Sequence, residues 1–286
     1  MTPQGLPVPP ISGRTTLIAH IGFPTESFKA PMIYNPWFAA RGIDAVVVPM
    51  GVRAEDFAAL APPLFRLSNI RGALITMPHK VAVMELLDQV TPTAAIAGAC
   101  NAVRVQPDGR LMGDQFDGEG FVRGVIRKGQ PVEGRSALVV GCGGVGSAIA
   151  ASLARAGVAR LALCDPNTAG MTALAGRLAQ HYPRLVLVAG NADPAGHDIV
   201  VNATPLGMQA GDPMPMDVSR IDPSAFVGEV VMKTEMTAFL QAAAARGCRY
   251  QVGTDMLFEM IPAYLEFFGY PAATAGELRG LAQIRW

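Results

Sequence analysis

Apolar positions along this chain fall into two kinds of run. Short runs rich in β-branched residues, TLIAHI (16–21), DAVVVPM (44–50) and RGALITM (71–77), predict buried strands. Between and after them, AEDFAAL (54–60) and HKVAVMELLDQ (79–89) place apolar residues at helical spacing and predict helices. NAVRVQ (101–106) and RLMGDQ (110–115) predict two strands joined by a turn at Pro107–Gly109. The polar stretch KGQPVEGR (128–135) then breaks the pattern, and a fresh series opens. Its strands are SALVV (136–140), RLALC (160–164), RLVLV (184–188), DIVVNA (198–203) and FVGEVVM (226–232), with alanine-rich helical stretches between them. TAFLQAAAARG (237–247), TDMLFEMIPAYLEFFG (254–269) and TAGELRGLAQ (274–283) predict three late helices.

Alternating strands and helices, with strands this apolar, predict an α/β fold of parallel sheets covered on both faces. The break predicts two domains: residues 1–117, then 118–253, with helices over 254–286 returning to the first. Composition narrows the partners. The 286 residues carry 23 basic and 23 acidic side chains and no charged tract, which argues against nucleic acid or an anionic membrane. No uninterrupted apolar run approaches the roughly 20 residues of a membrane span. MTPQGLPVPP at the start reads as a proline-rich tail without a signal core. Four scattered cysteines show no metal spacing and predict free thiols in a reducing compartment, the cytoplasm. No metal is expected.

The strongest local signal follows SALVV. Gly141, Gly143 and Gly146 fit G-x-G-x-x-G between a strand and a helix, with Gly144 and Val145 inside the motif. Such glycines let a pyrophosphate approach backbone N–H groups at a helix N-terminus. Asp165 ends the next strand, where an acid can accept from ribose hydroxyls, and no arginine follows it. That predicts NAD, with NADP disfavoured. In the first series, LITMPHK ends in Lys80; Pro78 should open a helix and place Lys80 in its first turn, against the dipole. Asp117 is placed to N-cap the helix GEGFVRGVIRKG (118–129). A carboxylate and an ammonium could move a proton to or from a substrate hydroxyl.

These residues resemble the shikimate/quinate dehydrogenase family over most of the chain. Gly22, Pro24, Pro31 and Asn35 match its early motif. LITMPHK matches N-V-T-x-P-x-K, GACNA matches G-A-x-N-T with Asn101 in place, and GDQFDG matches G-x-N-T-D-G. DIVVNATPLGM, with Asn202 and Thr204, is similar to the family's stretch beside the nicotinamide. GTDMLFEM, from Gly253 to Met260, is similar to G-x-x-M-L-x-x-Q. The resemblance implies an N-terminal substrate domain, a C-terminal Rossmann-type nicotinamide domain and a site in the cleft. It implies that Lys80 and Asp117 are the catalytic pair and that Thr76 and Asn101 contact substrate. The reaction implied is reversible hydride transfer to a small hydroxylated ring, with a homodimer as one option for assembly. The departures fall in the substrate pocket. Two serines that hold the substrate carboxylate in the family fall at Phe28 and Ala30, an asparagine at Leu74, and a glutamine at Met260. Ser27 and Lys29 are candidates to take over part of that role. Two alternatives stand beside shikimate or quinate oxidation: a dehydrogenase for a less polar ring, such as an amino- or deoxy-shikimate analogue, and a nucleotide-binding sensor without catalysis.

Overall fold

The computed structural model describes residues 10–284; all but the last residue of the proline-rich N-terminal stretch lies outside them. In chain order the elements are β1 (Thr16–Gly22), α1 (Pro31–Ala40), β2 (Ala45–Gly51), α2 (Phe57–Leu64), β3 (Ile70–Ile75), β4 (Gln89–Val90), α3 (Pro92–Ala97), β5 (Ala102–Val105), β6 (Leu111–Asp114) and α4 (Asp117–Arg127). They continue as β7 (Ser136–Val140), α5 (Gly144–Arg155), β8 (Arg160–Cys164), α6 (Thr168–His181), β9 (Val186–Ala189), β10 (Ile199–Asn202), β11 (Phe226–Glu229), α7 (Ala238–Ala245), β12 (Arg249–Gln251), α8 (Gly253–Phe267) and α9 (Ala275–Leu281).

The chain forms two compact units. One comprises residues up to Thr91, Ala99–Asp114 and the chain from Ile261 onward; the other comprises Pro92–Gly98 and Gln115–Met260. The short helix α3, inside the range 1–117 expected for the first domain, therefore clusters with the second unit.

In the first unit the sheet runs β2-β1-β3-β5-β6-β4. β1 pairs parallel with β2 and β3, and β5 runs antiparallel to β3 and β6. On one face Ala19, Ile21 and Ile75 pack with Phe57 and Ala61 of α2. Elsewhere in this unit, Asn35 of α1 brackets Val47 of β2 through its backbone N–H (2.8 Å) and carbonyl (3.1 Å). The Trp37 indole donates to Glu277 of α9 at 3.0 Å. In the second unit all strands are parallel, in the order β12-β11-β10-β7-β8-β9, the doubly wound arrangement. Strand alternation divides its core: Ala137, Val139 and Val201 face Ile149 and Leu153 of α5, while Leu138, Val200 and Val227 face Phe239 and Leu240 of α7.

The predicted helix over 79–89 does not form. Only a 3-10 helix spans Ala82–Leu86. The Lys80 carbonyl, which would close an α-turn onto Met84, instead accepts from Cys100 N–H at 2.8 Å, and Met84 N–H bonds to Val81. His79 is drawn away by the Val52 carbonyl (2.7 Å) and stacks on Phe57 with centroids 4.2 Å apart. Tertiary partners outcompete local helical bonds here. AEDFAAL also shifts: Ala54–Asp56 is a 3-10 turn and α2 starts at Phe57.

Candidate active site and dinucleotide loop

The ends of β1 and β3 build the first cluster. Thr76 N–H bonds to the Ile21 carbonyl (2.9 Å), and Phe23 N–H to the Met77 carbonyl (2.9 Å). A Cβ on Gly22 would overlap the Thr76 side chain, lie 2.8 Å from the Met77 carbonyl and 2.9 Å from the Phe28 ring tip. Only glycine lets these three meet. Phe28 is therefore turned inward, as is Ala30, while Ser27 is exposed and Lys29 half-buried. Phe28 lies against His20 with ring centroids 4.0 Å apart and an interplanar angle of 26°. Burial first, and the Lys80 charge second, lower the His20 pKa to about 3, so the imidazole is neutral.

Lys80 is half-buried in a turn before the 3-10 helix, not in the first turn of an α-helix, so the expected opposition to a helix dipole does not arise. Its neighbour across the Cys100 N–H bond, the Cys100 thiol, is pushed up to about 12, chiefly by burial. Asn101 is buried; its carbonyl accepts from Ile75 N–H (2.8 Å) and the Tyr264 hydroxyl (3.1 Å). Lys80, Thr76, Asn101 and Phe28 belong to the first unit, Asp117 and Met260 to the second. Asp117 is 3% exposed and is the first helical residue of α4; Phe116 holds the N-cap position, without a side-chain bond. The capping expectation is corrected accordingly. Gln115 instead anchors the turn by accepting from Asp117 N–H at 3.0 Å. A carboxylate in that first turn lies in the favourable field of the helix N-terminus. Met260 packs over Gly120 of α4, where a Cβ would come within 2.6 Å of its own.

The glycines of the second unit divide their work. Gly141 has φ +98°, and a Cβ there would come within 2.7–2.9 Å of Ala203 and Thr204 backbone atoms. Gly146 lies against the Gly141 carbonyl, so any side chain would push α5 off β7. At Gly143, the N-cap of α5, a Cβ would meet nothing. Packing does not demand glycine there; a ligand approaching the backbone would. Gly144 and Val145 follow as the first helical residues of α5. This cradle, closed at Gly141 and Gly146 and open at Gly143, fits a dinucleotide pyrophosphate. Asn202 frames the adjoining loop: its amide donates to the Leu206 carbonyl (3.0 Å) and its oxygen accepts from the Thr204 hydroxyl (2.6 Å). Gly253 is required by packing, since a Cβ would strike the Val230–Val231 backbone.

Sequence reasoning missed two residues, His20 and Glu229, each a lone ionisable group inside an apolar strand run. Glu229 ends β11 opposite Asn202, is fully buried and accepts from the Thr237 hydroxyl at 2.9 Å. Desolvation raises its pKa to about 7. The four cysteines are all unpaired, and among the described residues no cluster could hold a metal and no helix is long and apolar enough to cross a membrane.

Residues 21–103 match the shikimate dehydrogenase substrate binding domain, and residues 128–175 the ThiF family. The chain is 39% identical over 254 residues to a shikimate dehydrogenase (NADP(+)) of Rubrobacter xylanophilus, covering 87% of this chain and 89% of that one. It is 34% identical to the enzyme of the same name from Acidiphilium cryptum, covering 91% and 92%. Among solved structures it is similar to quinate dehydrogenase from Corynebacterium glutamicum in complex with NAD, with a TM-score of 0.84, 31% identity, and coverage of 93% and 98%.

The curated relatives are named for NADP(+), which overturns the expectation of NAD as the cofactor. The physical reason lies at Asp165. Its two oxygens accept from Cys142 N–H (2.6 Å) and Asn167 N–H (2.7 Å). The carboxylate ties the glycine loop to the end of β8, so an acid at this position has a structural job and is not by itself a signature of a bare ribose.

Proposed function

This chain belongs to the shikimate dehydrogenase family, and from that premise we propose that it is an NADP-dependent dehydrogenase for a ring hydroxyl of shikimate, quinate or a related hydroxylated ring. The observation that carries this reading is the match at 39% identity across 87% of the chain, spanning both units. Bound NADP(+) supplies the hydride acceptor. The chain's own residues do the rest: Lys80 and Asp117 hold and move the hydroxyl proton, Asn101 and Thr76 orient the ring, and backbone N–H groups from Gly143 to Gly146 receive the pyrophosphate. Residues up to Asp114 are the substrate domain in this reading, and those around the β7–β12 sheet the cofactor domain. It takes the cytoplasm as compartment, supported by the four unpaired thiols.

Steady-state appearance of reduced nicotinamide with shikimate, quinate and neutral ring polyols tests it. NADP is expected to exceed NAD in kcat/KM by at least about tenfold, or 1.4 kcal/mol. No turnover of any ring with either cofactor would replace this reading by that of a nucleotide-binding sensor; a preference for NAD would remove the cofactor assignment alone.

A further inference from the structure

The strands that present the glycine loop at one end carry a different set of polar groups at the other. Ser136 and Arg160 open β7 and β8 and pair across them, so both project to one face of the sheet. Leu138 and Ala162, two residues on, mark it as the face toward α7. The Ser136 hydroxyl lies 2.9 Å from His197 Nδ1. With that hydroxyl donating to Nδ1, the neutral ring carries its proton on Nε2. Burial first, and the Arg160 charge second, lower the His197 pKa against the opposing pull of Asp193 and Asp198, so the ring is neutral at neutral pH.

The connection from β9 to β10 opens a space beside these groups. Parallel strands are usually joined across a sheet face by a helix, but residues 190–198 form none. Val188 stays 36% exposed, and a cavity of about 250 Å³ lies over β8 and β9. Ala162 and Val188, paired across the two strands, give it an apolar floor. Arg160, Asn191, Asp193 and His197 line it as well. Arg160 is exposed, and its guanidinium makes no ion pair or hydrogen bond among the described residues. His197 keeps 9% of its surface; its Nε2 has no partner among the described residues and is not one of the atoms sealed inside without one. The Asn191 side-chain oxygen accepts from Asp193 N–H at 3.2 Å, which leaves its amide N–H groups to donate. Asp193 is already engaged: Arg220 holds its two oxygens at 2.8 Å each, and that bond chiefly brings its pKa down to about 2.

We propose that this cavity is a second ligand site, which binds a small organic monocarboxylate with its charge on Arg160 and His197 Nε2–H and its apolar body on Ala162 and Val188. A guanidinium fork fits a carboxylate, and the N–H beside it adds a second donor. One free cation matches one negative charge; a doubly charged anion would also face Asp193. The cavity is smaller than the roughly 300–1,000 Å³ of drug-sized pockets, which limits the ligand to about one ring. The dinucleotide is served elsewhere, since the glycine loop and Asp165 follow the other ends of β7 and β8.

The test titrates benzoate, its uncharged isostere benzamide and inorganic phosphate into the NADP-saturated full chain by calorimetry. Benzoate is expected to bind with a Kd of about 1 mM, and benzamide at least about tenfold more weakly. Arg160→Gln is expected to weaken benzoate about tenfold, with melting temperature and kcat/KM for the ring substrate unchanged. Val188→Glu, which sets a like charge on the floor, is expected to abolish benzoate binding. The chain has four histidines, and the His197 ring signal is expected to shift on adding benzoate. A carboxylate bound elsewhere would ignore both substitutions. No benzoate binding up to about 10 mM, equal binding of benzamide, tighter binding of phosphate, or benzoate binding that either variant leaves unchanged would overturn the proposal.

Discussion

Two strand-to-helix turns in this protein follow the first strand of their sheets and are built in opposite ways. Between β1 and α1 the chain takes the eight residues from Phe23 to Ala30 and fills the space with side chains, Phe28 stacking on His20 with its ring tip close to Gly22. Between β7 and α5 it takes three residues, two of them glycines, and leaves the backbone bare. The first turn presents side-chain shape; the second presents N–H groups at a helix N-terminus. A turn that reads with side chains can change its ligand by swapping them. A turn that reads with backbone has almost no freedom, because Gly141 and Gly146 are pinned against main-chain atoms.

The largest expected effect tests whether chemistry belongs to the side-chain-rich unit. Lys80→Met is expected to lower kcat by roughly 10²–10⁴-fold while leaving NADP affinity unchanged, measured by steady-state kinetics and cofactor titration. Nearly normal turnover would remove Lys80 from the mechanism. The next contrast lies within the glycine turn. Gly146→Ala meets the Gly141 carbonyl and is expected to cost about 3 kcal/mol in urea unfolding. Gly143→Ala meets nothing in the protein and is expected to cost less than about 1 kcal/mol, yet to raise KM for NADP severalfold. Equal stability losses in the two variants would break the division between a packing glycine and a ligand-facing one.

The last contrast concerns pH. Glu229 titrates at about 7 in the folded protein against an ordinary value of 4.5. Between those two values the folded state holds the proton more tightly than the unfolded chain. Its contribution is therefore full below the unfolded value and is lost as pH rises through the folded one. Glu229→Gln keeps an acceptor for Thr237 and is expected to flatten this slope, gaining on the order of 3 kcal/mol at pH 8 and little at pH 4. Parallel stability profiles for the two proteins would show that the buried carboxylate does not carry the titration.

How far the pattern could be read differs between the same two turns. The β7 turn was legible because its requirement is local: positive φ at Gly141 and close backbone approach at Gly146 are demands that only glycine meets, so the residue type announces the geometry. Strand positions were legible for a related reason, since apolar β-branched runs have few places to go but a covered sheet. The stretch after Thr76 was not, because the bond that stops a helix at Lys80 comes from Cys100, twenty residues away. Asp165 was legible as an acid at a strand end, but its partner Cys142 was not, and that bond changes what the acid means.

Residue types and their period alone were enough for two α/β units and a glycine-rich turn between a strand and a helix, which follow from burial patterns and backbone allowances that each short segment expresses by itself. The motifs carrying Lys80, Asn101 and Asp117 were legible only through the resemblance to a family. Only folding decided that Phe28 lies on His20, that an imidazole stays neutral with one nitrogen unpaired, and that Glu229 keeps its proton near neutral pH. Those properties belong to contacts between segments distant in the chain and to the loss of water around them, and no single stretch of sequence contains either.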